Sequence, residues 1–156
     1  MNPVSAEDAR VDSAKPADLC AMADLLADLF AMEKDFHPER EKQLAGLRLV
    51  LENPKIGRLF VLRSKDRVVG MANALITVST AEGGKVVLLE DVIVAKNLRG
   101  QRLGRLLVEA VCEWATERGF SRLTLLVDKT NENARAFYKS LGFELSMMRV
   151  LRKKLA

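Results

Sequence analysis

Residues 86–115 read VVLLEDVIVAKNLRGQRLGRLLVEAVCEWA, and the fold turns on this stretch. Val86 to Val94 is β-branched and apolar apart from Glu90 and Asp91, which predicts a strand. From Leu103 onward, Leu106, Leu107, Ala110, Val111, Trp114 and Ala115 recur at i, i+3, i+4 spacing, which predicts one buried helical stripe. Gly119 then closes the helix. Between strand and helix lies Arg99-Gly100-Gln101-Arg102-Leu103-Gly104-Arg105. The first N–H groups of a helix have no partner within it. No Ser, Thr or Asp directly precedes this helix to cap it, although Asn97 could reach back. Glycines allow a ligand close to the backbone, and the helix dipole favours an anion there. With the arginines added, the loop suits a diphosphate. The same residues also fit a basic, solvated first turn that binds nothing.

The chain has 156 residues, 49% hydrophobic and 29% charged, as expected of one globular domain with a substantial core. No run of about 18 apolar residues is present, so no membrane-spanning helix is expected. Residues 1–8 lack the basic and apolar regions of a signal peptide and read as a disordered lead-in to a single domain at 9–156. Cys20 and Cys112 fall on helical patterns and read as reduced packing residues of a cytoplasmic protein. The net charge of +4 suits an anionic ligand. Scattered basic residues and scarce aromatics argue against nucleic acid. One histidine and two distant cysteines make no typical zinc site, so no metal is expected. No G-x-S-x-G elbow or Walker loop is present.

Outward from the central stretch, Ala9–Asp12 reads as a first strand and Pro16 opens a helix running to about Met32. Phe36-His37-Pro38 interrupts it. His37 lies between two helices and reads as a solvated loop residue or a substrate contact. A second helix starts near Pro38 and stops at Asn53-Pro54. Arg58–Leu62 and Val68–Ser79 are strands, joined by a turn at Ser64–Arg67. Glu82-Gly83-Gly84 turns the chain into Val86–Val94, so these strands should be antiparallel neighbours. Leu123–Val127 follows a strand–helix unit and should lie parallel to Val86–Val94. Asn131–Leu141 is a helix with Ala134, Phe137, Tyr138 and Leu141 on one face, closed by Gly142. Phe143–Arg152 is read as a last strand whose edge could support a homodimer. The order β-α-α-β-β-β-α-β-α-β makes an α/β (α+β) fold, a mixed, mainly antiparallel sheet with helices on both faces.

That order resembles the GNAT superfamily of acetyl-CoA-dependent N-acetyltransferases, in three stretches. Leu89-Glu90-Asp91-Val92-Ile93-Val94 looks like its fourth strand. Arg99-Gly100-Gln101-Arg102-Leu103-Gly104 looks like its Q/R-x-x-G-x-G/A pyrophosphate loop. Asn131-x-x-Ala134-x-x-Phe137-Tyr138-x-x-x-Gly142-Phe143 looks like its C-terminal signature. Arg10-Val11…Pro16-Ala17-Asp18-Leu19 is similar to the usual start. Arg102 stands where the family has its middle glycine. At a helix start φ should be negative, so a Cβ should be accommodated there.

The resemblance implies acetyl transfer from acetyl-CoA to a primary amine of a small molecule or peptide, by direct attack in a ternary complex. An alkylamine of pKa about 10 must lose a proton before attacking. Glu90 is the candidate base, directly or through water, with burial expected to raise its pKa. Alternatively it pairs with an arginine or attracts a cationic substrate. By strand alternation Asp91 should face the opposite way. The family's strand bulge, carried over, would free amides of Val92, Ile93 and Val94 for the pantetheine arm and the oxyanion. The phosphates would lie on Arg99, Gly100, Gln101, Arg102, Leu103, Gly104 and Arg105. Tyr138 would be the acid that protonates the leaving thiolate, or else a core residue. Asn131 and Asn133 would contact the cofactor arm, with Asn131 also a candidate N-cap. A non-catalytic acyl-CoA-binding regulatory module on the same fold is the alternative function.

Overall fold

A computed structural model of the chain describes residues 8–156, so the lead-in expected at the N-terminus lies outside the described residues except for Asp8. The chain divides into two units, one up to Leu126 and one from Val127 to Ala156.

In the first unit the two predicted hairpins form. Strands β1 (Ala9–Ser13), β2 (Gly57–Ser64), β3 (Arg67–Ser79), β4 (Gly84–Val94) and β5 (Leu123–Leu125) make one sheet in chain order. The first four are antiparallel neighbours, and β5 pairs parallel to β4. Helices α1 (Leu19–Met32) and α2 (Arg40–Glu52) fall between β1 and β2, and α3 (Leu103–Glu117) between β4 and β5.

Alternation along β2 assigns the helices to faces. Leu59 and Val61 join Met22, Leu25, Leu26, Leu44 and Leu47 in one buried cluster with Met71 and Ile93. Phe60, between them in sequence, meets the Trp114 ring of α3 edge-on at 5.5 Å. Helices α1 and α2 therefore cover one face and α3 the other. Central strands covered on both faces read as continuous apolar runs, as β2 does. The α3 stripe is shifted from its expected place. Val108 is fully buried while Leu106 is 38% exposed, because the stripe centres on Leu107, Val111 and Trp114 and leaves Leu106 at its rim.

A buried ion pair fixes the entry to α1. Asp18 accepts from both terminal nitrogens of Arg63 on β2, at 2.9 and 2.7 Å, and from the backbone N–H of Lys15 at 2.7 Å. Asp12 of β1 accepts from Arg63 Nε at 3.0 Å. Cys20, expected to pack, is instead exposed, since it lies on the side of α1 away from Met22 and Leu26. Cys112 is half-buried, and both thiols are free.

The second unit contains α4 (Glu132–Ser140). Tyr138 contacts the rings of Phe137 and Phe143 at 5.0 and 5.5 Å. The last expected strand does not form. Residues 143–156 adopt no helix or strand. Leu145, Met147, Met148 and Leu151 are exposed, so the apolar alternation there has no sheet neighbour to complete a ladder. The edge on which a homodimer was expected is therefore not formed.

Candidate active site

The centre of the site is a mismatch in residue count between β3 and β4. Ala72 opposes Val92 and Ala74 opposes Leu89, so Asn73 alone stands opposite both Glu90 and Asp91. Two residues against one is a β-bulge. It changes where the carboxylates point. Leu75 opposes Leu88 and Met71 opposes Ile93, and directly opposed residues share a face. Counting forward from Leu88 puts Glu90 on the face covered by α1 and α2. Counting back from Ile93 puts Asp91 on the same face. The expectation that the two acids face opposite ways fails, because simple alternation holds only where the strands keep register. Asn73, between Met71 and Leu75, is on that face too.

The electrostatics differ from expectation as well. Glu90 is exposed, so the burial expected to tune it is missing. Asp91 is the acid largely removed from water. Burial pushes its carboxyl up to about 6, and the neighbouring Glu90 charge adds to the rise, against the hydrogen-bonding amide of Asn73. That bond, from Asn73 Nδ2 to Asp91 Oδ2, is long at 3.4 Å. Asn73 Oδ1 is buried and has no hydrogen-bond partner. Sequence reasoning missed Asn73. A polar residue in an apolar strand was the available signal.

Beyond the bulge, β4 has a partly open edge. On the β5 side the ladder covers only Val87–Leu89. On the β3 side the Ala95 N–H donates to Val69 O at 2.8 Å. This fixes Met71/Ile93 as a hydrogen-bonded pair and Gly70/Val94 and Ala72/Val92 as non-hydrogen-bonded pairs. The backbone polar groups of Val92 and Val94 therefore point away from β3, whereas those of Ile93 belong to the ladder. Of the three amides carried over from the resemblance, two face the open edge. The Val94 carbonyl accepts from Arg99 Nε at 2.9 Å, which ties the loop to the strand end.

The loop then enters α3 without a side-chain cap. Gly100 has φ +79° and Arg102 φ +61°, both in the left-handed region. The negative φ expected for Arg102 is not observed. The loop closes onto the helix through a left-handed residue, a conformation for which glycine is the default. Arg105 forms an ion pair with Glu109 at 3.1 Å. An uncapped helix start, two outward-facing strand residues and arginines nearby fit a ligand that joins a diphosphate to an extended amide-bearing arm.

In the second unit, Asn131 caps α4, its Oδ1 accepting from the Ala134 N–H at 3.0 Å. Asn133 is exposed in the first turn. Burial pushes the Tyr138 hydroxyl up to about 12. His37 is exposed between α1 and α2. Among the described residues, no group of His, Cys, Asp or Glu could hold a metal ion. No helix among them is long and apolar enough to cross a membrane.

Residues 21–143 match the Acetyltransferase (GNAT) family. The chain belongs to the GNAT family. It is 32% identical over 89 residues to a glucosamine 6-phosphate N-acetyltransferase of Trypanosoma brucei brucei, covering 56% of this chain and 58% of that protein. It is 32% identical over 117 residues to the uncharacterized N-acetyltransferase YobR of Bacillus subtilis (strain 168), covering 74% of this chain and 44% of that one. The chain thus spans about half the length of these relatives. The GNAT fold is seen again in the aminoglycoside N-acetyltransferase AAC(6')-Iy, solved in complex with CoA. That structure superposes with a TM-score of 0.80 at 20% identity, covering 95% of each chain.

Proposed function

We propose that this GNAT protein transfers the acetyl group of acetyl-CoA to a primary amine by direct attack in a ternary complex. One observation carries the reading: the bulge sets Glu90 and Asp91 on one face beside the open edge of β4. Acetyl-CoA supplies the activated acetyl group. The loop from Arg99 to Arg105 and the start of α3 receive its phosphates, and the edge at Val92 and Val94 receives its amide-bearing arm. The Val92 N–H is the donor nearest the bulge and suits the developing oxyanion.

The acidic pair attracts the protonated amine and takes its proton. Asp91, at about 6, is the better matched base, while exposed Glu90 attracts the cation and relays through water. As nitrogen bonds to the acetyl carbon, the thioester C–S bond breaks and the electron pair leaves on sulfur. The proton for that thiolate is assigned to Tyr138 by the family resemblance, and burial keeps its hydroxyl protonated across the working range.

The acceptor class is a polar, cationic amine. The likeness to a glucosamine 6-phosphate N-acetyltransferase adds amino sugars to the panel. The reading places the protein in the cytoplasm, where acetyl-CoA is available. The test is thiol release from acetyl-CoA with glucosamine 6-phosphate, an aminoglycoside and 1,4-diaminobutane. Asp91→Asn should lower turnover by about 10²–10⁴-fold. Tyr138→Phe should lower turnover while acetyl-CoA affinity holds. Full activity in either variant removes that residue's role.

Arg102 in a left-handed position, where the family has glycine, favours a second reading. In it the chain is a non-catalytic acyl-CoA-binding regulatory module. Calorimetric binding of acetyl-CoA with no thiol release on any amine would establish it.

A further inference from the structure

We propose that Asn73 is a substrate-positioning residue whose buried side-chain oxygen accepts a hydrogen bond from the acceptor amine while its side-chain nitrogen steadies Asp91. The inference rests on the acetyl-transfer reading above and names what selects the nucleophile.

Three observations converge on Asn73. It is the single β3 residue opposite the two-residue bulge. Its Nδ2 donates to Asp91 Oδ2 at 3.4 Å. Its Oδ1 is buried without a partner. The neighbours on its face of β3 are Met71 and Leu75, so an apolar residue would pack there without an orphaned oxygen. A buried acceptor left unpaired is unfavourable, and a donor arriving with a substrate relieves it. Reversing the side-chain amide would not help, because it would set a carbonyl oxygen against an ionised carboxylate.

The pattern also discriminates between nucleophiles. Asn73 Oδ1 and the Glu90 and Asp91 carboxylates are all acceptors. An ammonium or primary amine offers enough N–H groups to satisfy Oδ1 and a carboxylate together, whereas an alcohol offers one O–H. The bulge thus favours N-acetylation over O-acetylation.

The groups acting on Asp91 are few. Glu90 lies beside it on β4, Asn73 faces it from β3, and its own backbone N–H adds a bond that lowers its pKa. The buried residues that α1 brings to this face are apolar, among them Met22, Leu25 and Leu26.

Two variants separate the two halves of the proposal. Asn73→Leu removes acceptor and donor, and Asn73→Asp keeps an acceptor and loses the donor. Asn73→Leu should raise the KM for 1,4-diaminobutane at least 10-fold and leave that for acetyl-CoA unchanged. Asn73→Asp should stay within about threefold of the parent for the amine. In both, the Asp91 carboxyl, followed by carbon-13 NMR, should titrate above its parent value. That titration, and diamine binding followed by chemical shift, need no turnover. If no amine is acetylated by the parent protein, the function fails while Asn73 is still judged by these two readouts. Unchanged diamine binding in Asn73→Leu, or equal loss in Asn73→Asp, overturns the accepting role. An unmoved Asp91 titration in both variants overturns the steadying role.

Discussion

Asp18 at the start of α1 and Asp91 in the bulge of β4 are both aspartates held largely out of water, yet they titrate in opposite directions. Burial alone would raise both. At Asp18, two bonds from the Arg63 guanidinium, one from the Lys15 backbone and the positive charge of Arg63 outweigh burial, so its pKa falls below the usual value. At Asp91 the bonds come from a neutral amide at 3.4 Å and its own backbone N–H, and the charge acting on it is a second carboxylate, so burial prevails. The first arrangement is satisfied and structural. The second leaves a carboxylate without a cationic partner and a buried amide oxygen without any partner.

The strongest way to break this contrast is to remove the guanidinium. Arg63→Met strands Asp18 in a site where its side chain is 8% exposed, and stability in urea should fall by about 3–5 kcal/mol. A loss below about 1 kcal/mol would mean that Asp18 does not depend on Arg63.

The converse change should stabilise. The Asp91 carboxyl rises from 3.8 to about 6 on folding, so ionising it opposes the folded state above pH 6. Asp91→Asn should therefore gain about 3 kcal/mol at pH 7.5, and the gain should shrink as pH approaches 4, where the parent carboxyl is protonated. Destabilisation at pH 7.5 would show that the carboxylate is better satisfied than its surroundings indicate.

Within the parent protein the two acids predict opposite slopes. The raised Asp91 adds stability that is complete below about pH 3.8 and lost as pH rises through about 6. Its share should grow by about 1 kcal/mol between pH 7 and pH 5. The depressed Asp18 adds stability present above 3.8 and lost only as pH falls through its lower folded value. Urea midpoints in Glu90→Gln sharpen the point. Removing the like charge lowers the Asp91 pKa, so the gain between pH 7 and pH 5 should be smaller.

The smallest effect concerns a non-glycine residue in the left-handed region. Arg102→Gly replaces a left-handed residue at the entry to α3 and should add a few tenths to about 1 kcal/mol, read as a rise in Tm. A fall in Tm would mean that the Arg102 side chain holds the loop through contacts that outweigh its backbone.

Local patterns were legible where local chemistry sets the structure. The hairpin turns, the α3 stripe, the Asn131 cap and the parallel placement of β5 each follow from a few consecutive residues. Phe143–Arg152 shows the limit. It carries an apolar alternation without forming a strand, since a strand exists only with a neighbour to pair it. Leu106 and Val108 show a milder version, where spacing locates a stripe but not its centre.

Element order through α4, the loop beside α3 and the acidic pair were therefore written in the linear chain, because periodicity, turn residues and composition act over short distances. Which way Asp91 faces, which strand amides stay open, the left-handed turn at Arg102 and the place of Asn73 beside Asp91 were not. Each depends on the register between β3 and β4 or on how a loop must close. Register is a count of residues across two strands, and a single extra residue in one of them redirects every side chain beyond it.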